Sequence, residues 1–138
     1  MTFSLRVSNG DLVLAGNTLG VVYGTDKLTQ DLTLWMCERY GVDRFHPWYG
    51  SQFQNYIGGV ISTSTQAMVY TEASRVLDNY QRLQGQAFQQ APANYSLSEL
   101  LATVNNVAVT VNYDQVNVAV SVSNAVQQPT TISVTQGV

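Results

Sequence analysis

The sequence predicts an α+β fold, and three patterns carry that expectation. Two long segments, one opening near Thr25 and one near Ser62, repeat apolar residues at helical spacing. Between them lies a turn dense in aromatics and glycine. After Leu100, valines alternate with small or polar residues in two runs, the two-residue period of strands. The 138 residues read as a single domain spanning 1–138, with no internal repeat and no boundary.

Phe3, Leu5 and Val7 alternate with Ser4, Arg6 and Ser8, and Asn9-Gly10 then supplies a hairpin turn. A two-residue turn there pairs Val7 with Leu12 and Leu5 with Leu14, leaving one face apolar. Leu19 to Tyr23 reads as a loop or brief strand. Thr25 is the expected N-cap of the first helix, with Asp26 matching the helix dipole. Leu28, Leu32, Trp35 and Met36 form its apolar stripe, and Gly41 its left-handed stop. The aromatic turn closes at Gly58-Gly59.

The second helix opens in the hydroxyl cluster Ser62 to Thr65 and ends at Gly85 or a turn later. Val69, Ala73, Val76, Leu77, Tyr80 and Leu83 form its buried face. On its other side Glu72 can reach Arg75, and Asp78 can reach Arg82. A linker at Ala91-Pro92-Ala93-Asn94 leads to a short helix capped by Ser96 or Ser98. The remainder is an antiparallel valine-rich β-meander. A turn at Asp114-Gln115 pairs Val111 with Val118 and Val109 with Val120, and Ile132 and Val134 mark a last strand after Pro129.

Composition narrows the function. Six basic residues against nine acidic ones, with no basic cluster, argue against nucleic acid as a partner. One Cys and one His cannot form an intramolecular disulfide, a zinc site or an iron–sulfur cluster, so no metal or cofactor is expected. Cys37 reads as a small buried hydrophobe. No 18-residue apolar run predicts a membrane span, and MTFSLRVSNG lacks the features of a signal peptide. The expectation is a protein that stays in the producing cell's cytoplasm unless a larger assembly carries it out. Charged residues make up 11% of the chain, against about 25% in ordinary soluble domains. From Leu100 to Val138 the sole charge is Asp114. That scarcity predicts a surface largely covered by partners.

Glu38, Asp43 and His46 cluster around the aromatic turn, yet each has an ordinary reading. Glu38 suits a solvated helix position, Asp43 a turn cap, and His46 a turn hydrogen bond. No G-x-S-x-G, P-loop or G-x-G-x-x-G is present, and no catalytic residue is assigned. The turn is instead a candidate for recognition, because Arg44, Trp48 and Tyr49 are of the types enriched in binding hot spots. Its rings can equally fold back between the helices. The uncharged C-terminal strands pose a similar choice. Their edges are covered within the chain, or a partner adds a strand, with Thr131, Ile132, Ser133 and Val134 the segment chosen.

One ordered set of motifs carries a resemblance. Gly24-x-Asp26-Lys27-Leu28-x-Gln30-Asp31-Leu32 is followed by Gly41, then Pro47-Trp48-Tyr49-Gly50-Ser51, then Gly58. This order resembles the baseplate wedge family of phage tails and related contractile injection machines. These are the sheath-initiator proteins, some historically labelled tail lysozymes. The resemblance implies a structural protein of the virion, assembled in the host cytoplasm and present in several copies in a ring-like assembly. It implies docking on other baseplate and wedge proteins and on the tail tube, and sheath initiation by strand exchange through the β-region. Pro47 and Gly50 match the turn that faces the wedge core, and Arg44 is the nearest basic residue. Many family members carry Glu-Pro-Arg in this turn, where this chain reads Asp43-Arg44-Phe45-His46-Pro47. Two alternatives accompany this reading: a small peptidoglycan-acting hydrolase of the tail, and a baseplate component of a non-contractile tail.

Overall fold

Turns rich in glycine and asparagine at Asn9-Gly10 and Gly16-Asn17 break the N-terminal stretch into very short strands. The computed structural model describes residues 1–137. It contains β1 (Ser4–Leu5), β2 (Val7–Ser8), β3 (Asp11–Leu12), β4 (Leu14–Ala15), β5 (Thr18–Leu19) and β6 (Val21–Val22). They pair as β1 with β6, β2 with β3, and β4 with β5. Asn9 and Gly10 both have positive φ, as a two-residue hairpin turn of this type requires.

Val7 faces Leu12 as expected, but Leu5 faces Val21 and Leu14 faces Leu19. The extended hairpin fails because its strands part at Arg6 and Val13. There the Val13 amide donates to Arg6 O, Gly20 to Val13 O, and Arg6 to Gly20 O, at 3.0, 2.8 and 2.7 Å in the order Val13, Arg6, Gly20. These three bonds close a ring. Residues 6, 13 and 20 are seven apart, so the segment holds a quasi-repeat, VSNGDLV followed by LAGNTLG. A Cβ on Gly20 would lie 3.1 Å from Val13 O, so the ring closes most easily on glycine.

The first helix, α1, spans Gly24–Cys37, with Tyr23 rather than Thr25 at the N-cap. The Thr25 hydroxyl instead meets Gln128 and the buried Asn124. Leu28, Leu32 and Met36 are fully buried, while Trp35 packs half-buried against the same core. The helix ends at Cys37, before Gly41, because Glu38 turns extended and starts the aromatic loop. Cys37 lies at the surface, not in the core.

The second helix, α2, runs Thr63–Gln90, and Ser62 and Thr65 form a reciprocal capping box. It continues past Gly85 because Ala87 and Phe88 still pack half-buried in its last turns. Single 3-10 turns follow at Pro92–Asn94 and Leu97–Glu99, the latter boxed by Ser96 and Glu99.

Three long strands complete the fold: β7 (Leu101–Val111), β8 (Gln115–Asn124) and β9 (Pro129–Gly137), in the order β7-β8-β9. Val111 faces Val116 and Val109 faces Val118. The register is thus two residues from the expected one, because the tight turn is Tyr113-Asp114, closed by the Asn112 amide donating to Gln115 O. A two-residue shift keeps every valine on its face, which is why periodicity alone does not detect it. Val116, Val118, Val120 and Val122 are all buried, and with Ile132 and Val134 they form one core with both helices. β7 lies against α2, and β9 against α1. The opposite face carries Thr, Ser, Asn and Ala.

Candidate partner-binding surfaces

Residues 38–52 form a loop pinned at both ends. Ser51 N–H donates to Glu38 O, Tyr40 N–H donates to Ser51 O, and the Ser51 hydroxyl donates to Met36 O. Gly50 lies in this narrow neck with φ near 102°, and a Cβ there would meet Glu38 O at 2.7 Å. Only glycine fits without displacing backbone.

A charged pair from α2 holds the loop from the side. Arg75 donates to both carboxylate oxygens of Glu72 at 2.8 and 2.6 Å and reaches Gly50 O at 3.2 Å. Its guanidinium also covers the Tyr40 ring at 4.9 Å. Glu72 in turn accepts from the Gln52 amide. The Glu72–Arg75 pair expected as a surface decoration is therefore a half-buried brace. Asp78 does not join Arg82, whose guanidinium donates to Asn79 instead.

The two neighbouring aromatics of the loop diverge. Tyr49 packs against Trp35 at a 50° tilt with centroids 4.6 Å apart, and Trp35 meets Tyr80 edge-on at 5.1 Å. Burial, reinforced by Glu38 and Asp31, pushes the Tyr49 hydroxyl up to about 12. Tyr49 therefore belongs largely to the core. Trp48 is 41% exposed, with the His46 ring edge-on at 5.6 Å and its carbonyl accepting from Asn79. It borders an open groove shared with Tyr40, Ser74, Arg75 and Asp78.

Among the large apolar side chains of the described residues, the one at the tip of the loop is second in exposure only to Val60. Phe45 is 87% exposed, with Arg44 and Pro47 exposed beside it. Asp43 sets the tip's shape, accepting from the amides of Phe45 and His46 at 2.8 and 3.2 Å and meeting His46 Nδ1 at 3.1 Å. The Phe45 amide and the His46 side chain hold the Asp43 carboxyl below its ordinary range. Phe45 did not stand among the sequence-predicted site residues. Its apolar character in a charged turn was the available signal.

At the sheet, Thr131 and Ser133 are exposed, but Ile132 and Val134 are buried in the core. Their side chains cannot meet a partner; their strand can. Asn112 N–H bonds Gln115 O and Asn124 N–H bonds Gln128 O. Antiparallel alternation from these two bonds directs the backbone of Val116, Val118, Val120 and Val122 toward β9. The backbone N–H and C=O of Thr131, Ser133 and Thr135 consequently face away from the sheet. Among the described residues no group bonds them from that side.

The other edge is guarded. β7 carries two register irregularities, and Gln81 and Gln84 of α2 bond the backbone of Leu101 and Ala102. Bulges and side-chain covers of this kind blunt an edge. β9 has neither. No group of His, Cys, Asp and Glu suited to a metal occurs among the described residues. Comparison with protein-family models, curated proteins and solved structures finds no match to the chain.

Proposed function

We propose that the protein is a non-catalytic structural component of a phage or phage-like tail baseplate. It docks on larger wedge subunits through the 38–52 loop and offers β9 to a neighbouring chain. The observation that carries the reading is the braced loop tip. Phe45, Arg44, Pro47 and Trp48 stand exposed on a turn that Asp43, Gly50 and the Glu72–Arg75 brace hold in one shape. A preorganised aromatic and arginine patch suits a binding hot spot, where truncation costs about 2 kcal/mol or more.

The ordered motifs described for the sequence support assigning that partner to a baseplate. Pro47 and Gly50 match the family turn, and here Gly50 has a physical reason to be glycine. The uncharged face of the sheet and the open backbone of β9 fit strand addition by a neighbour. In the contractile version of this reading, that neighbour is the sheath.

Phage particles assembled with Phe45→Ala or Trp48→Ala protein provide the test. The variants should fold normally in isolation, while electron micrographs show few complete tails and pull-downs lose the neighbouring baseplate subunits. Wild-type numbers of complete tails from both variants would overturn the docking assignment. Clearing of cell-wall suspensions by the purified protein, abolished by Glu38→Gln or Asp43→Asn, would overturn the non-catalytic one.

A further inference from the structure

The ring closed by Arg6, Val13 and Gly20 makes residues 4–22 a small trefoil whose three arms are related by seven-residue steps. Leu5, Leu12 and Leu19 occupy equivalent positions and have nearly equal exposure, 40%, 47% and 45%. Leu14 on the second arm is 71% exposed, and Phe3 and Tyr23 flank the paired β1 and β6 with rings 6.2 Å apart and 59% and 48% exposed. Val22 is the one buried apolar side chain of the trefoil, and it stands apart from the core cluster of helices and sheet. The remaining apolar surface has no use within the chain.

We infer that the trefoil is a self-association surface whose occupant is the trefoil of a second copy of this chain. Two observations select that occupant. At about 200 Å² per large side chain, these six residues expose apolar area on the order of 600 Å². That approaches the roughly 800 Å² each partner gives to a standard interface, and it stands at the upper end of the range, about 300–600 Å², for the largest apolar patch of a monomer.

The second observation is charge. Residues 1–25 carry just two charged side chains, Arg6 and Asp11, of opposite sign. Both are exposed, and among the described residues neither forms an ion pair. A two-fold interface brings the same patch to itself, so residue i meets j and j meets i. Arg6 of each copy then has Asp11 of the other as a partner. The overall charge of −3 does not oppose this, because the patch itself is neutral. The inference concerns the free chain and does not depend on the baseplate reading.

Sedimentation equilibrium of the purified full chain, from about 1 to 200 μM, reads the result directly. Wild type should shift from chain mass to twice chain mass within that range. Leu14→Glu and Leu19→Glu, both at exposed positions, should remain at chain mass with unchanged far-UV circular dichroism. Arg6→Asp and Asp11→Arg should each weaken the dimer tenfold or more, and the double variant carrying both should regain it. A wild-type chain that stays monomeric to 200 μM overturns the inference. So does a dimer that survives both leucine substitutions, since its interface then lies elsewhere. Failure of the double variant to regain what the single variants lose overturns the two-fold pairing.

Discussion

Gly50 sits where no side chain fits. With φ near 102° and a virtual Cβ 2.7 Å from Glu38 O and 2.8 Å from Arg39 C, any substitution must open the neck of the loop. Gly50→Ala should cost about 2 kcal/mol or more, read as a lowered urea midpoint. An unchanged midpoint would mean that the bonds of Ser51 to Glu38 and Tyr40 across the neck yield easily. Its neighbours divide differently. Tyr49→Ala removes the ring packed against Trp35 and should cost about 2–3 kcal/mol, whereas Trp48→Ala should cost under about 1 kcal/mol. The reverse order would move Trp48 into the core and end its role as a contact. Asp43 adds a pH dependence. Its folded pKa is the lowered one, so its ordering of the turn is present above the ordinary aspartate range and is lost as pH falls through the lowered value. Protection of the Phe45 amide, taken relative to its intrinsic exchange at each pH, should therefore fall only below about pH 4. Persistence of that transition in Asp43→Ala would assign it to another carboxylate. The sequence marked this turn as a site but could not sort adjacent rings. Their directions depend on a brace supplied by Glu72 and Arg75 from a distant helix.

At the scale of elements, periodicity served the helices well and the sheet in part. The α1 stripe and the α2 face are buried as spacing predicts, except that Trp35 and Leu83 are half-buried, because tertiary burial and the helical period largely agree there. Ends were less legible. Glu38 turns extended because Ser51 from across the loop takes its carbonyl, which is a contact no local signal announces. The β7–β8 register was misread by two residues because Tyr113-Asp114 forms a tight turn without a glycine. The alternation also marks Ile132 and Val134 as apolar strand residues, and their burial leaves any partner contact of this segment to its backbone. What β9 offers is backbone. Ser133 has its N–H directed outward and its side chain exposed, so Ser133→Pro should leave the β8–β9 ladder intact while removing one edge donor. The variant should keep its unfolding free energy within about 1 kcal/mol of wild type and fail to join or extend the proposed assembly. Normal particles would show that the added strand lies elsewhere or is absent. Cutting the chain after Gln128 is a poorer probe, since it strips Ile132 and Val134 from the core.

Taken whole, the molecule is a helix-on-sheet core with a trefoil attached to it, and the attachment was the least legible feature. The seven-residue repeat is carried by turn types and apolar positions rather than by identities, so Asn9-Gly10 reads as one hairpin until the ring of amides is seen. Its fastening is polar. Gln30 of α1 donates to Leu5 O at 2.7 Å and accepts from the Val7 amide at 2.9 Å, and Ser4 donates to Asp31 at 3.1 Å. The Gln30-Asp31 pair noted as part of a motif thus clasps β1 and β2 across the Arg6 ring position. Lys27 steadies the clasp by pairing with Asp31 at 2.6 Å. Each bond of this kind contributes about 1 kcal/mol net, so Gln30→Ala should lower the local stability of the trefoil by about 1–3 kcal/mol. Opening of a segment that buries only Gly20 and Val22 need not disturb the core, because stability is distributed unevenly among cooperative units. Amide exchange between Leu5 and Val21 should therefore quicken about tenfold or more in Gln30→Ala. Amides of α1 and β8 should keep their protection, and the global urea midpoint should barely move. Equal acceleration throughout the chain would instead show that the trefoil and the core unfold as one unit, with Gln30 serving both.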